Sequence, residues 1–235
     1  MKVKVHGVKS HSMLKSPSTA PSTDCKDLRD NGQANSGVYE IYPYGTSSRP
    51  VRAYCDMDAM DGGWTAIQKR VDGSVRFNKS WTEYKNGFGS PEGNVWIGND
   101  VIHQLTKGKN SSLYVSITLL NGTTLYQLYD GFSVSDEAEK YKLFLTGSIK
   151  GTLDDSMLDT HYGRLSGMYF STLDRDNDNH MINCALLLGG GWWYNECHKA
   201  FLNGPWSKIN WKQVWGSIIT DGREVRGTMM LIKRN

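Results

Sequence analysis

Residues 147–225 contain almost no periodic pattern and are rich in Gly, Asp, Asn and aromatic residues; this irregular region constrains the fold most. A loop region of this length inside a compact domain is normally functional, or is held in place from outside. A chain of 235 residues corresponds to one large domain or two small ones. The longest apolar runs, such as residues 185–188, are far too short to cross a bilayer, so no membrane insertion is expected.

The segments on either side of this region predict β structure. Leu113, Val115, Ile117 and Leu119 alternate along one face, and residues 123–129 follow after Asn121-Gly122. Asn-Gly between two alternating runs is the strongest short hairpin signal, and it predicts positive φ at both turn residues. We expect further strands over residues 64–71, 141–146 and 228–233, with 141–146 as the third strand of an antiparallel meander.

Two short helices are predicted from capping patterns. Ser80 and Glu83 have the spacing of a capping box, which predicts a helix from Trp81 to about Asn86 that ends at Gly87. Asp100 is expected to cap a second helix over residues 101–105.

The charge distribution argues against nucleic-acid binding. Residues 1–22 contain four lysines and no acidic residue, which predicts a flexible basic tail. The rest of the chain has 23 basic and 24 acidic residues, and is therefore almost neutral. A nucleic-acid-binding face would need a basic stripe.

The four cysteines form two local pairs, Cys25 with Cys55 and Cys184 with Cys197, and no pair has CxxC spacing. An even count of this kind is consistent with two disulfides in a secreted protein, and the alternative is four buried free thiols. Three sequons, at Asn78, Asn110 and Asn121, also favour secretion and glycosylation, although sequons arise by chance.

Two clusters in the irregular region could bind a ligand. Asp174, Asp176 and Asp178 alternate in one loop and offer hard oxygen ligands that suit Ca²⁺, but the EF-hand pattern fails and a solvated acidic turn is the alternative. Five tryptophans and Tyr194 lie within residues 192–215, where they could form a surface that binds a carbohydrate or another small ligand, or pack as core. The tryptophans are Trp192, Trp193, Trp206, Trp211 and Trp215.

His198 has no nucleophile beside it with which it could form a catalytic set, so we expect no enzymatic activity.

Several motifs together resemble the fibrinogen-related domain, the C-terminal module of fibrinogen chains, ficolins, tachylectins and snail fibrinogen-related proteins. The resemblance covers roughly residues 23–235, and the short segment between Gly204 and Trp211 is most similar to molluscan members, including gastropod sialic-acid-binding lectins. The motifs are Asp24-Cys25, Tyr54-Cys-Asp-Met57, Gly62-Gly-Trp-Thr65, Gln68-Lys-Arg-Val-Asp-Gly-Ser74, Tyr84-Lys-Asn-Gly-Phe-Gly89, Trp96-Ile-Gly-Asn-Asp100, Phe170-Ser-Thr-Leu-Asp174, Asp176-Asn-Asp178, Asn183-Cys-Ala185, Gly191-Trp-Trp-Tyr194, Cys197-His198 and Leu202-Asn-Gly204.

The resemblance implies an α+β fold with a central twisted antiparallel sheet, short helices and three parts. Residues 23–63 would form a small N-terminal subdomain closed by a Cys25–Cys55 disulfide. Residues 64–146 would form the central sheet, into which strand 228–233 inserts. Residues 147–227 would form a loop-rich binding subdomain held by a Cys184–Cys197 disulfide and by Ca²⁺. The implied calcium ligands are the Asp176 and Asp178 carboxylates and the His180 and Ile182 carbonyls.

The resemblance also implies a binding site for acetylated sugars beside the second disulfide. The backbone N–H groups of Cys197 and His198 would donate to the acetyl oxygen, and the Glu196–Cys197 peptide would be cis. Tyr194 would lie beside the acetyl group, and Leu188 would stand where the family often has an aromatic residue. Trp206 would replace a pocket tyrosine that the family carries in a longer loop, or else the pocket would be wider.

The first function expected from the resemblance is a secreted, extracellular lectin of innate immunity. It would bind N-acetylated glycans, either sialic acid or the N-acetylhexosamines GlcNAc and GalNAc, on microbial or cell surfaces. Because lectins gain avidity by presenting several sites, a homo-oligomer is expected. The alternative is a protein-binding module of the fibrinogen-like or angiopoietin-like kind without sugar specificity.

Overall fold

The computed structural model describes residues 21–158, 164–206, 215–216 and 225–235. The predicted tail, apart from its last two residues, and Trp211 lie outside the described residues. The described residues form the helices α1 (Cys25–Asp30), α2 (Trp81–Asn86), α3 (Asn99–Thr106) and α4 (Cys184–Leu188). Their strands are β1 (Gly37–Ile41), β2 (Val51–Asp56), β3 (Trp64–Arg70), β4 (Phe88–Gly89), β5 (Val95–Trp96), β6 (Ser111–Leu119), β7 (Thr124–Asp130), β8 (Ser133–Val134), β9 (Leu143–Phe144), β10 (Gly147–Gly151) and β11 (Val225–Arg234).

The main sheet has the strand order β1-β2-β3-β11-β6-β7-β10, and β4 and β5 attach beside β3. Every pair in this sheet is antiparallel. Strand β11 is last in the sequence and lies between β3 and β6, so the predicted insertion of the last strand is confirmed. The α+β class with a central antiparallel sheet is confirmed as well.

The two faces of the sheet differ in their packing. Met230 and Ile232 of β11 point into the main core together with Val115 of β6. Leu231 points to the opposite face, where it packs with Trp64 and other side chains into a smaller cluster. This alternation along β11 follows from the period of two in an extended strand.

Buried hydrogen bonds attach the loop-rich region to the sheet. The Gln68 side chain of β3 donates to the Leu202 carbonyl at 3.0 Å. The Tyr84 hydroxyl of α2 accepts from the Gly191 N–H at 3.0 Å, and the Asn203 side chain donates to the Gly191 carbonyl at 3.0 Å. Because loops lack backbone ladders of their own, buried side chains must satisfy their polar groups.

The hairpin of β6 and β7 is confirmed, but its turn differs from the prediction. Gly122 has a φ of 87°, whereas Asn121 does not adopt a positive φ. The Gly122 N–H donates to the Leu119 carbonyl, and the Asn121 side chain accepts from the Thr123 N–H at 2.9 Å. The turn from Leu119 to Gly122 therefore needs only one left-handed residue, which is the glycine.

The prediction of a third meander strand over residues 141–146 is wrong. Within that segment only β9 is extended, and it pairs with β8 in a separate two-stranded sheet. The third strand of the meander is β10, which pairs with β7. Residues 147–151 carry little apolar alternation because β10 is a solvent-exposed edge strand, so periodicity could not detect it.

Both predicted helices exist, but only the first is capped as expected. Helix α2 begins after Ser80 with a complete capping box to Glu83 and ends at Gly87. Helix α3 begins two residues earlier than predicted, after Gly98 and without a side-chain cap. Asp100 lies in its first turn, where its carboxylate accepts from the Tyr141 hydroxyl at 2.6 Å instead of capping the helix.

Candidate functional site

Helix α4 and its disulfide form the frame of the candidate site. The structure contains both the Cys25–Cys55 and the Cys184–Cys197 disulfides, with Cα–Cα distances of 5.4 and 5.5 Å. The Asn183 side chain caps α4 by accepting from the Leu186 N–H at 2.9 Å. A helix of five residues is too short to be stable alone, so the cap and the disulfide must hold it.

Asp178 connects the acidic loop to this frame. One of its carboxylate oxygens accepts from the Cys184 N–H at 2.9 Å and the other from the His180 N–H at 2.9 Å. Asp176 accepts from the Asp178 N–H at 3.2 Å. The first acidic residue of the motif, Asp174, has a different role, because it accepts from the Trp81 N–H at the start of α2.

The Asp176 carboxylate lies close enough to Asp178 to affect the ionisation of Asp178. Burial raises the pKa of Asp178 above its ordinary value, and the neighbouring Asp176 raises it further. Two like charges held this close destabilise the ionised form unless a cation compensates. The pair therefore offers hard oxygen ligands at a place where a positive charge would be favourable.

The other two implied calcium ligands are backbone carbonyls of an exposed segment. His180 is exposed, and its ring Nδ1 lies 3.2 Å from the Ile182 carbonyl oxygen. The imidazole therefore occupies one of the two acceptor positions of that carbonyl oxygen. A grouping of His180 with Cys184 and Cys197 is not a metal centre, since both thiols are oxidised in the disulfide.

The segment around Cys197 differs from the prediction. The described residues contain no cis peptide bond, so the predicted cis bond between Glu196 and Cys197 is wrong. Cys197 instead adopts a φ of 63°, which redirects the chain with a trans peptide. Its carbonyl accepts from the Asn195 N–H at 3.1 Å. Within the described part of the chain, the N–H groups of Cys197 and His198 have no acceptor.

His198 is an uncharged group at neutral pH. Burial lowers the pKa of its imidazole to about 4. The ring packs against Phe201 with 5.0 Å between ring centroids, and within the described residues its Nδ1 has no hydrogen-bond partner. His198 therefore carries no positive charge at neutral pH that could attract an acidic sugar.

The aromatic cluster proves to be mainly core. Trp192, Trp193, Tyr194 and Trp215 have no exposed surface. The Tyr194 hydroxyl donates to the Gly190 carbonyl at 2.6 Å, so this side chain supports the site from beneath. These buried rings agree with the second of the two sequence-based hypotheses, in which the aromatic residues pack as core beneath the loops.

The remaining two predicted contact residues lie at different places. Leu188 is half-buried at the end of α4 and packs against the main core. The half-buried Trp206 ring packs on Gly73 and lies 5.3 Å from the Arg70 guanidinium, beside the end of β3. The structure thus brings Cys197, His198 and Tyr194 together, with Trp206 held against β3.

The structure exposes a group of apolar side chains that the sequence did not indicate as a surface feature. Their exposed fractions range from 57% to 99%. We call this group the apolar patch: Met181, Ile182, Leu186 and Leu187. Met181 and Ile182 follow the acidic loop in the chain, whereas Leu186 and Leu187 lie in α4. The only sequence signal for the group was a short apolar run, which equally suits a buried helix.

Comparison with known proteins identifies the family. Residues 21–233 match the model of the C-terminal globular domain of fibrinogen beta and gamma chains. The chain belongs to this family. Members of this fibrinogen C-terminal family are non-enzymatic binding modules, which confirms the prediction of no catalytic activity.

Three solved structures are similar over most of the chain. The fibrinogen-like globe domain of human ANGPTL6 is 35% identical, with a TM-score of 0.82, covering 94% of this chain and 98% of that one. The corresponding domain of human ANGPTL2 is 34% identical, with a TM-score of 0.83, covering 92% and 100%. Lamprey fibrin D-dimer in complex with the peptide Gly-His-Arg-Pro-amide is 30% identical, with a TM-score of 0.80, covering 92% and 74%.

These three structures show the fibrinogen-like fold, and they do not show lectin character or a closeness to molluscan members. None of the helices in the described part of the chain combines the length and hydrophobicity needed to cross a bilayer.

Proposed function

We propose that this fibrinogen-like domain is an extracellular module that binds a protein or peptide partner through the apolar patch. The observation that carries this proposal is the exposure of four neighbouring apolar side chains, with Met181 99% exposed. Single exposed apolar side chains are ordinary on a protein surface, whereas several within seven residues are more typical of an interaction site. Two disulfides support an oxidising, extracellular setting.

The frame of α4 makes the patch suitable for binding. The Asn183 cap, the Cys184–Cys197 disulfide and the Asp178 hydrogen bond to Cys184 fix the backbone that carries it. A fixed backbone lowers the conformational entropy lost on binding. The peptide complex of the lamprey fibrin neighbour and the resemblance to two angiopoietin-like domains favour a protein or peptide over a sugar.

Calcium is the cofactor that fits the proposed module. Asp176 and Asp178 would hold the ion through carboxylate oxygens, and the carbonyls of His180 and Ile182 would complete the protein ligands. The ion would offset the mutual repulsion that contributes to the raised pKa of Asp178. It would thereby fix the loop that carries Met181 and Ile182.

The test uses peptides selected by phage display against the intact, calcium-loaded chain, with Gly-His-Arg-Pro-amide as a defined second probe. The double variant Leu186→Ser/Leu187→Ser should weaken the selected peptides at least about tenfold, since each buried leucine contributes about 1.5–3 kcal/mol. Leu120→Ser is the matched control, because Leu120 is 55% exposed on the β6–β7 turn. Equal binding by the double variant and the wild type would exclude the apolar patch as the binding surface.

A second candidate function is binding of N-acetylated glycans, including sialic acid and N-acetylhexosamines, by a secreted innate-immune lectin. The observation in its favour is the pair of N–H groups of Cys197 and His198, which have no acceptor in the described part of the chain. Two such donors could bind one acetyl oxygen. On a glycan array, N-acetylglucosamine should then compete and glucosamine should not, because deacetylation leaves both donors unpaired at about 1–3 kcal/mol. Competition equal for both sugars would eliminate this candidate.

A further inference from the structure

A cavity of about 290 Å³ lies on the outer face of the central sheet, which is the face opposite the main core, and α4 does not line it. Its walls come from β2, β3, β6 and β11. Lys69, Met229 and Ser116 lie side by side on three neighbouring strands, as the registers of β11 with β3 and with β6 require. The volume is close to the lower end of the range for small-molecule sites.

The cavity exists because the next row across the sheet has a glycine at its centre. Gly227 is paired with Thr118 on β6. A Cβ atom on Gly227 would lie 2.9 Å from the Arg70 carbonyl oxygen, so the close approach of β3 excludes a side chain there. The missing side chain leaves a hollow at this point of the sheet.

A β-bulge directs a cation towards the hollow. The register between β11 and β6 shifts between Val225 and Gly227, which leaves Arg226 as the extra residue. Val225 is in the main core, whereas Arg226 is exposed and lines the cavity. A bulge places an extra residue outside the ladder and redirects its side chain.

The charges and apolar groups of the lining residues indicate which kind of ligand the cavity can bind. Lys69, Arg70 and Arg226 line the cavity, and within the described residues no carboxylate does. The buried Arg70 guanidinium donates to the Leu202 and Gly204 carbonyls, so Lys69 and Arg226 are the two cations considered for a ligand.

The Lys69 ammonium lies 4.2 Å from the centroid of the Tyr54 ring. It donates to the Pro91 and Glu92 carbonyls at 3.3 and 3.1 Å, which holds it in place and leaves one N–H for a ligand. Val71 and Met229 add apolar wall. The nearby Glu92 carboxylate is already paired with Arg52.

From this geometry we infer a second binding site, on the outer face of the central sheet, for a small organic carboxylate with an apolar body. The carboxylate contacts Arg226 and Lys69, and the apolar body lies against Tyr54, Val71 and Met229. The Ser116 hydroxyl lies at the floor and can donate to the same carboxylate. The site is independent of the apolar patch and of calcium.

The test measures the binding of phenylacetate to the full chain by amide chemical shifts. Wild-type protein should show saturable shifts at Lys69, Ser116 and Met229. The neutral analogue phenylacetamide should bind about tenfold more weakly, because it lacks the charge-assisted hydrogen bonds. Absence of saturable shifts with phenylacetate, or equal affinity for the amide, would overturn the inference.

Substitutions test whether Arg226 of the bulge contributes to phenylacetate binding. Arg226→Gln should lower phenylacetate affinity about tenfold, and Arg226→Lys should recover part of it. Arg49→Gln, which removes a charge from an exposed loop elsewhere, should change nothing. Leu186→Ser/Leu187→Ser should also leave phenylacetate binding unchanged. Equal affinity of Arg226→Gln and wild type would refute the assigned carboxylate contact.

Discussion

At the scale of single residues, the candidate site depends on groups that are partly buried and held in unusual ionisation states. Asp178 has a raised pKa and His198 a lowered one, each mainly because burial disfavours the charged form. The sequence identified both residues, since both stand in family motifs. It could not give their ionisation, because burial and neighbouring charges are set by the tertiary fold.

Asp178 should couple the free energy of unfolding to calcium and to pH. We expect calcium to raise the melting temperature of the wild type and to leave Asp178→Asn unchanged, since a bound ion stabilises the native state by mass action. In chelator, a raised pKa means that Asp178 favours the folded state at low pH and loses that contribution as pH rises through its folded-state pKa. The wild type should therefore gain stability relative to Asp178→Asn as pH falls below neutral.

Thermal unfolding at a series of pH values, with calcium and with chelator, measures both effects. Asp155→Asn is a suitable control, because it removes a carboxylate of a different loop. Identical calcium shifts in the wild type and in Asp178→Asn would contradict the proposed ligand.

His198 should show the opposite linkage. Its pKa is lowered from 6.5 to about 4, so the unfolded chain binds the proton more readily than the folded one. The stability that its neutral form contributes is present above pH 6.5 and is lost as pH falls towards 4. We expect the imidazole resonances to titrate near pH 4 in the folded protein, and His198→Gln to have a flatter stability profile over this interval. Titration of His198 near 6.5 would mean that the ring is solvated.

At the scale of elements, helix α2 shows how far local patterns can predict structure. Its bounds follow from Ser80, Glu83 and Gly87, which act within a few residues of each other. Strand β10 and the start of α3 were missed or misplaced because they depend on contacts distant in sequence, such as the Asp100–Tyr141 hydrogen bond. Capping motifs are encoded locally, whereas edge strands are defined by their neighbours.

Removal of the α2 cap should lower stability without changing the site. Ser80→Ala should reduce the free energy of unfolding by about 1 kcal/mol, the usual value for an N-cap serine. Thr82→Ala on the exposed face of the same helix is the control and should have little effect. Urea denaturation of the two variants and the wild type gives the comparison, and equal midpoints for Ser80→Ala and Thr82→Ala would show that the cap contributes nothing.

At the scale of the whole molecule, the sheet and the loop-rich region are stabilised by different means. Strands β3, β11 and β6 are paired on both sides and carry buried apolar side chains. The loops from Phe170 to Gly204 depend on a few buried hydrogen bonds, on packed aromatic rings and on one disulfide. The sequence predicted this division through family resemblance, because no periodicity marks a region held by non-local polar contacts.

This difference predicts two levels of protection in native-state hydrogen exchange. The Met230 amide in β11 should exchange only through global unfolding, since opening β11 breaks its pairing with both neighbouring strands. Ser171 and Trp192 share a two-bond bridge at 2.9 and 3.1 Å outside the sheet, and in chelator their amides should exchange at a lower free energy of opening. Calcium at a hundredfold excess over its Kd should raise both free energies by about 2.7 kcal/mol, because either opening releases the ion. The difference in opening free energy between the Met230 amide and the Ser171 and Trp192 amides should therefore stay the same when calcium is added. Asp178→Asn should abolish the calcium-dependent increase in both free energies. Exchange of Ser171, Trp192 and Met230 at one common free energy in chelator would mean that the loops and the sheet unfold as a single unit.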